Sequence, residues 1–193
     1  MNTIDEVPPT RDFPVPGLTE VTEFDHVKGD MATSTGGMII VEYSDFQCPA
    51  CAARYPLVKE FLASSTNVKF VYRHFPLSQH FNAKKAAIAA EAAGLQGKFW
   101  EMHDMLFDEQ SDWSQIVNPT AKFVGYAKEI GLDTVKFESD LASGDLRLKV
   151  DRDMESGEQN KIGSTPTFFV QGVQIEQFGT VAQLQAIVTE MIK

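Results

Sequence analysis

The two cysteines of the chain, Cys48 and Cys51, are separated only by Pro49-Ala50 and stand where a β-type run gives way to helix-forming sequence. Met38 to Ser44 is largely apolar and β-branched, as a buried strand is. Ala52 to Leu62 carries good helix formers with apolar residues on one face. Cys48 therefore falls at a strand-to-helix junction, with Pro49 suited to the first helical turn, where a missing N–H costs nothing. Unpaired N–H groups and the dipole at a helix N-terminus favour an anion, which here would be a thiolate. Two cysteines with this spacing at such a junction read as a redox pair. Pro56 is expected to kink the following helix or end its first segment.

Other uses of the pair fit less well. A structural zinc site needs about four ligands, and the chain offers no second cysteine pair. Its four histidines, His26, His74, His80 and His103, lack ligand spacing, so no metal is expected. A purely structural disulfide would close a tiny loop, and loop-closure stabilisation falls with loop length.

At 193 residues the chain can bury a sizeable core. Its net charge of −10 argues against nucleic acid or an anionic membrane surface as partner and suits a monomer. No apolar run is long enough to span a bilayer. The first residues are acidic and polar, the opposite of a signal-peptide start. Val7 to Gly17 is proline-rich and reads as an extended tether, so residues 1–20 are expected to be a flexible linker.

Beyond it, an edge strand is expected from Val21 to Val27 and a loop from Gly29 to Gly37. Val68 to Phe75 alternates as a second strand, closed by Pro76. A strand–helix–strand unit implies a parallel pair. From Asn82 the pattern stays helical for about eighty residues. An alanine-rich segment ends at Gly94, Lys98 to Phe107 is amphipathic, and further helices are expected over 118–130, 133–141 and 145–159. The β signal returns at Ser164 to Val170, with a turn at Gln171-Gly172 and a partner strand over Val173 to Ile175. A last helix is expected from Val181 to Ile192. The order indicates an α/β layer structure interrupted once by helices.

Several stretches resemble the DsbA-like branch of the thioredoxin superfamily. They are Glu42 to Cys51, Tyr72-Arg73-His74-Phe75-Pro76-Leu77, the alanine-rich helix running into Gly97-Lys98-Phe99-Trp100, and Gly163 to Phe168. The resemblance implies a thioredoxin fold with an inserted all-helical domain. The expected limits are 21–78 and 162–193 for the thioredoxin-fold domain and 79–161 for the insertion. It implies an exposed nucleophile at Cys48, a more buried resolving thiol at Cys51 and a cis-proline at Pro166. It also assigns Thr165 to tuning of redox behaviour and Glu42 to accepting the Cys51 proton. No cofactor is implied beyond the Cys48–Cys51 disulfide.

The activity implied is thiol–disulfide exchange that introduces disulfides into reduced or unfolded substrate proteins, with a membrane quinone-linked re-oxidase as partner. The setting implied is extracytoplasmic, in the periplasm or cell envelope after removal of a signal or anchor, and cytoplasmic if Met1 is the native start. Strongly oxidising members carry Pro-His between the cysteines; this chain has Pro49-Ala50, which implies a weaker oxidant. A disulfide reductase or isomerase, a non-catalytic peptide-binding module and a kappa-type glutathione transferase share the fold and stand as alternatives.

Overall fold

A seven-residue strand, β2 (Met38–Ser44), forms the middle of a five-stranded sheet. The structure, a computed structural model, describes residues 15–29 and 37–191. The helix α1 (Pro49–Ser64) carries the chain from β2 to β3 (Val68–His74), which pairs parallel to β2 with Glu42 opposite Tyr72. β4 (Thr167–Val170) lies antiparallel on the other side of β2, with Glu42 opposite Phe168. β1 (His26–Gly29) and β5 (Val173–Gln174) complete the edges, giving the order β1-β3-β2-β4-β5. The apolar character of β2 on both sides follows from a sheet covered on both faces. Met38 and Ile40 join the larger core, whereas Val41 and Tyr43 face a smaller cluster with Val71, Phe75 and Phe169.

Six helices lie between β3 and β4: α2 (Ala83–Gly94), α3 (Phe99–Asp108), α4 (Gln110–Trp113), α5 (Thr120–Glu129), α6 (Thr134–Asp140) and α7 (Gly144–Gln159). The last helix, α8 (Val181–Glu190), follows β5. This is the thioredoxin fold with an inserted helical block. The larger core runs without a break from Ile40, Phe61 and Phe70 into Ala89, Phe99, Met102 and Trp113. The small side chains of α2 permit that close packing. On the opposite face α7 approaches so closely that a Cβ at Gly157 would lie 2.5 Å from the Phe75 ring.

Four local expectations are corrected. The first strand lies at His26–Gly29 rather than Val21 to Val27. Residues 22–25 instead form a turn, with the Thr22 N–H donating to Asp25 Oδ2 at 2.8 Å and the Asp25 N–H to the Thr22 carbonyl at 3.2 Å.

Of the two effects expected of Pro56, a kink or an end, the end does not occur: helix α1 runs through it to Ser64. A proline removes one ladder bond, and burial of Tyr55, Val58 and Phe61 on the same helix holds the segment in place.

The short helix α4 falls where no helix was expected, and it is anchored by buried Trp113, whose indole N–H donates to the Leu106 carbonyl at 2.9 Å.

The expected linker is not free over its described part. The Gly17 and Glu20 carbonyls accept from the Arg73 guanidinium at 2.6 and 2.7 Å. Its first fourteen residues, and most of the loop expected from Gly29 to Gly37, lie outside the described residues. The β4–β5 turn is as expected, and both Gln171 and Gly172 have positive φ, 50° and 79°, as a tight two-residue hairpin turn requires.

Candidate active site

Cys48 is the N-cap of α1, in extended conformation, and Pro49 occupies the first turn. The approach to it is fixed by side chains rather than by further strand pairing. Asp45, buried, accepts from the Gln47 N–H at 2.7 Å and the Leu77 N–H at 2.9 Å, and pairs with His80 Nδ1 at 2.7 Å. The Gln47 amide donates to the Ser114 carbonyl and accepts from the Asn82 N–H, both at 2.7 Å. Gln110 donates to the Phe46 carbonyl at 2.7 Å and the Cys48 carbonyl at 3.1 Å. The helical insertion thus holds the cysteine loop directly. Nothing local in the sequence marks Gln47, Asn82 and Gln110: each acts across more than thirty residues, and isolated amides carry no local signal.

Both cysteines are thiols here. Cys48 retains 6% exposure and Cys51 none. The nucleophile expected to be exposed is therefore largely covered, because the segment around Thr165 lies against it. The Cys48 thiol is 3.4 Å from the Thr165 carbonyl oxygen. Thr165–Pro166 is a cis peptide. Fold closure thus brings Cys48, Cys51, Thr165 and Pro166 to one place.

The two sulfurs differ sharply in acidity. The Cys48 thiol falls from 9.0 to about 5, chiefly through a hydrogen bond from Cys51; burial opposes this, and Thr165 and the backbone N–H groups of Cys51 and Ala50 add to it. Cys51 is pushed far upward by burial, reinforced by that same hydrogen bond and by Glu42 and Cys48. Glu42 is 4% exposed, and burial raises its carboxyl from 4.5 to about 7, with Ser44 lowering it and Cys48 raising it. Its neighbours Ser44 Oγ and Tyr72 OH have no hydrogen-bond partner among the described residues. A low-pKa sulfur near the surface, a high-pKa sulfur behind it and a buried acid near neutrality can support thiol–disulfide exchange.

The residues 22–190 match the family model described as thioredoxin. The chain belongs to the thioredoxin family. Within it the fold is DsbA-like. A thioredoxin-like oxidoreductase from Silicibacter pomeroyi DSS-3 superposes with a TM-score of 0.73 at 25% identity, over 89% of this chain and 94% of that one. Oxidised BdbD from Bacillus subtilis shares the fold with a TM-score of 0.74 at 22% identity, over 93% of this chain and 98% of that one. In sequence, a protein named Na(+)/H(+) antiporter NhaA 1 from Salinispora arenicola is 39% identical over 86% of this chain but only 24% of its own length. The chain spans about a quarter of the curated relatives it matches. No helix among the described residues is long and apolar enough to cross a membrane.

The histidines that look scattered in sequence partly converge. His26 Nε2 and His74 Nε2 each lie 2.9 Å from a different oxygen of buried Glu91. His74, Glu91 and Asp153 place metal-ligand atom types within 4.8 Å of one another. The Lys149 ammonium already supplies the countercharge there, 2.8 and 2.7 Å from the Asp153 oxygens and 3.8 Å from Glu91. We read this cluster as a buried ion-pair network tying α2 and α7 to β1 and β3.

Proposed function

We propose that the chain is a thiol–disulfide oxidoreductase that passes a Cys48–Cys51 disulfide to reduced substrate proteins. The observation that carries this is the placement of the two sulfurs: Cys48 caps the N-terminus of α1 against the cis Thr165–Pro166 segment and Cys51 is fully buried in the next turn, an arrangement under which Cys48 is lowered to about 5 and Cys51 raised. A substrate thiolate attacks Cys48 Sγ, a substrate–Cys48 bond forms and the Cys48–Cys51 bond breaks. Cys51 leaves with the electron pair and takes a proton from Glu42. A second substrate thiolate then attacks the substrate sulfur, and Cys48 departs as a thiolate. Two electrons have moved from substrate to enzyme, and the substrate keeps the disulfide. The low pKa of Cys48 makes it a good leaving group in that last step.

Under this reading Pro166 and Thr165 shape the surface beside Cys48 where an extended substrate strand would lie, and Thr165 also tunes the Cys48 thiolate. The protein acts as a monomer in an extracytoplasmic compartment, and a membrane quinone-linked oxidase restores the disulfide. The likeness to DsbA-like folds supports the substrate class. Transport activity is not carried over from the relatives named as antiporters.

One observation favours the opposite net direction. Ala50 is exposed beside Cys48 and brings no donor or positive charge to the thiolate, which leaves the reduced form less stabilised than a histidine would. The test is oxidation of a reduced two-cysteine peptide by the oxidised protein, run beside insulin reduction. Stoichiometric peptide oxidation that disappears in Cys48→Ser supports a disulfide donor. Insulin reduction without peptide oxidation would make the chain a reductase, and activity that survives Cys51→Ser would point to transferase chemistry.

A further inference from the structure

Between α1, α3 and the sheet lies a cavity of about 20 Å³, room for about one water. Glu42 lines it from β2, Tyr55 and Lys59 from α1, Lys28 from β1, and His103 and Asp104 from α3. His103 belongs to the inserted helices and is buried at 5% exposure. Tyr72, Trp100, Phe107, Phe46 and Tyr55 surround its ring with centroids 4.8 to 5.6 Å away. Its Nδ1 lies 2.9 Å from Asp104 Oδ1, and no described residue bonds Nε2. Asp104 in turn accepts from Lys59 Nζ at 2.9 Å, and the Lys59 side chain is 50% exposed.

Glu42 and His103 thus face one cavity, and two contacts of 2.9 Å lead from His103 through Asp104 to the half-exposed Lys59. With Nδ1–H donated to a carboxylate, the imidazole presents Nε2 as an acceptor. Burial lowers the His103 pKa, with Lys28 and His74 lowering it further and Asp104 opposing, so the ring stays neutral and able to accept. Asp104 is held at about 2, against the opposing effect of its burial, by bonds from His103 and Lys59, so it stays ionised. Of the rings packed on His103, those of Tyr55 and Tyr72 carry hydroxyls, and burial raises both, so neither competes as a proton carrier near neutrality; Lys28 faces the same cavity as a cation.

We propose that His103 is a proton station for Cys51: the proton leaving Cys51 reaches Glu42, crosses through a water in this cavity to His103 Nε2, and exits past Asp104 and Lys59. The proposal rests on the redox reading above. In the step concerned, a mixed disulfide joins Cys48 to a leaving thiol. The Cys51 sulfur, its proton passed to Glu42, attacks Cys48; the Cys48–Cys51 bond forms, and the leaving thiolate carries away the electron pair. His103 positions and relays the proton and touches neither sulfur.

The test is stopped-flow oxidation of the reduced full chain by oxidised glutathione across pH 5–9. The slope at low glutathione reports attack by Cys48, and the plateau reports attack by Cys51. His103→Gln should lower the plateau about threefold to tenfold below pH 8, a modest share of a general acid–base contribution, and leave the slope unchanged. Added imidazole should restore the plateau in His103→Ala. An unchanged plateau, or slope and plateau falling by one common factor, overturns the relay. If His103 variants do not fold, Asp104→Asn at the outer side decides: a lowered plateau with a normal slope supports the relay, and wild-type kinetics overturn it. Failure of the wild-type chain to form any disulfide would instead refute the redox reading itself.

Discussion

The Cys48 thiol lies 3.4 Å from the carbonyl oxygen of Thr165, a residue 117 positions further along the chain. That contact closes the fold over the reactive sulfur, so the acidity of Cys48 reports on the whole arrangement. Its rate of alkylation should rise with a midpoint near pH 5. Cys51→Ala should move the midpoint upward most, because Cys51 gives the largest lowering contribution, and Thr165→Val should move it upward by less. Thiolate absorbance against pH checks both. A midpoint near that of a free thiol in the native chain would contradict the assignment.

The same shift sets a pH dependence of stability. The folded pKa of Cys48 lies below its unfolded value, so the thiolate stabilises the reduced protein above pH 9. That stabilisation is lost as the pH falls through 9 towards 5. The oxidised protein has no such titration. Chemical denaturation of both forms should therefore show the reduced form gaining on the oxidised form from pH 5 to pH 9, above which the raised Cys51 thiol opposes the trend.

Glu42 has the opposite sign. Its folded pKa, about 7, lies above the ordinary 4.5, so its ionisation costs stability that is lost as pH rises from 4.5 through 7. Glu42→Gln should leave stability unchanged below pH 4 and raise it by roughly 3 kcal/mol above pH 8. The same variant should slow attack by Cys51 while sparing attack by Cys48. A stabilised but slower variant would mark Glu42 as a functional acid kept at a structural cost.

Ala50 is exposed beside the nucleophile. Ala50→His should place a donor and a partial positive charge against the Cys48 thiolate, stabilise the reduced form and raise the reduction potential by about 30 mV or more, the equivalent of about 1.4 kcal/mol. Equilibration in glutathione buffers followed by alkylation and mass measurement reads this directly. An unchanged or lower potential would remove the electrostatic argument.

Arg73 is fully buried and holds both Asp25 oxygens at 3.0 and 3.1 Å as well as the Gly17 and Glu20 carbonyls. Arg73→Met would leave Asp25 as an uncompensated buried charge, a loss of about 3–5 kcal/mol. Thermal unfolding should show the loss, and proteolysis should open first within residues 17–25. The midpoint for Cys48 should not move.

What sequence shows of this protein is what is local. The strand before Cys48, the proline after it, the alanine run of α2 and the Gln171-Gly172 turn each carry their own signal, and each places an element. The first strand was displaced because its boundary depends on the Asp25–Arg73 pair, which joins residues 48 positions apart. Pro56 does not end α1 because tertiary packing outweighs one missing ladder bond. In the site, Cys48 and Cys51 stand out by spacing, and Glu42, Thr165 and Pro166 only through the family resemblance. Gln47, Asn82, Gln110 and His103 do not stand out at all. Their positions matter through contacts from the inserted helices, and a single amide or imidazole in an amphipathic helix looks like any other.

The central claim is that Cys48 and Cys51 form a functional redox couple, and its equilibrium potential in glutathione buffers tests it most directly. The account predicts a reversible two-electron transition between the values typical of thioredoxin and DsbA, about −270 and −120 mV. A pair that stays fully reduced or fully oxidised across the whole buffer range would contradict it.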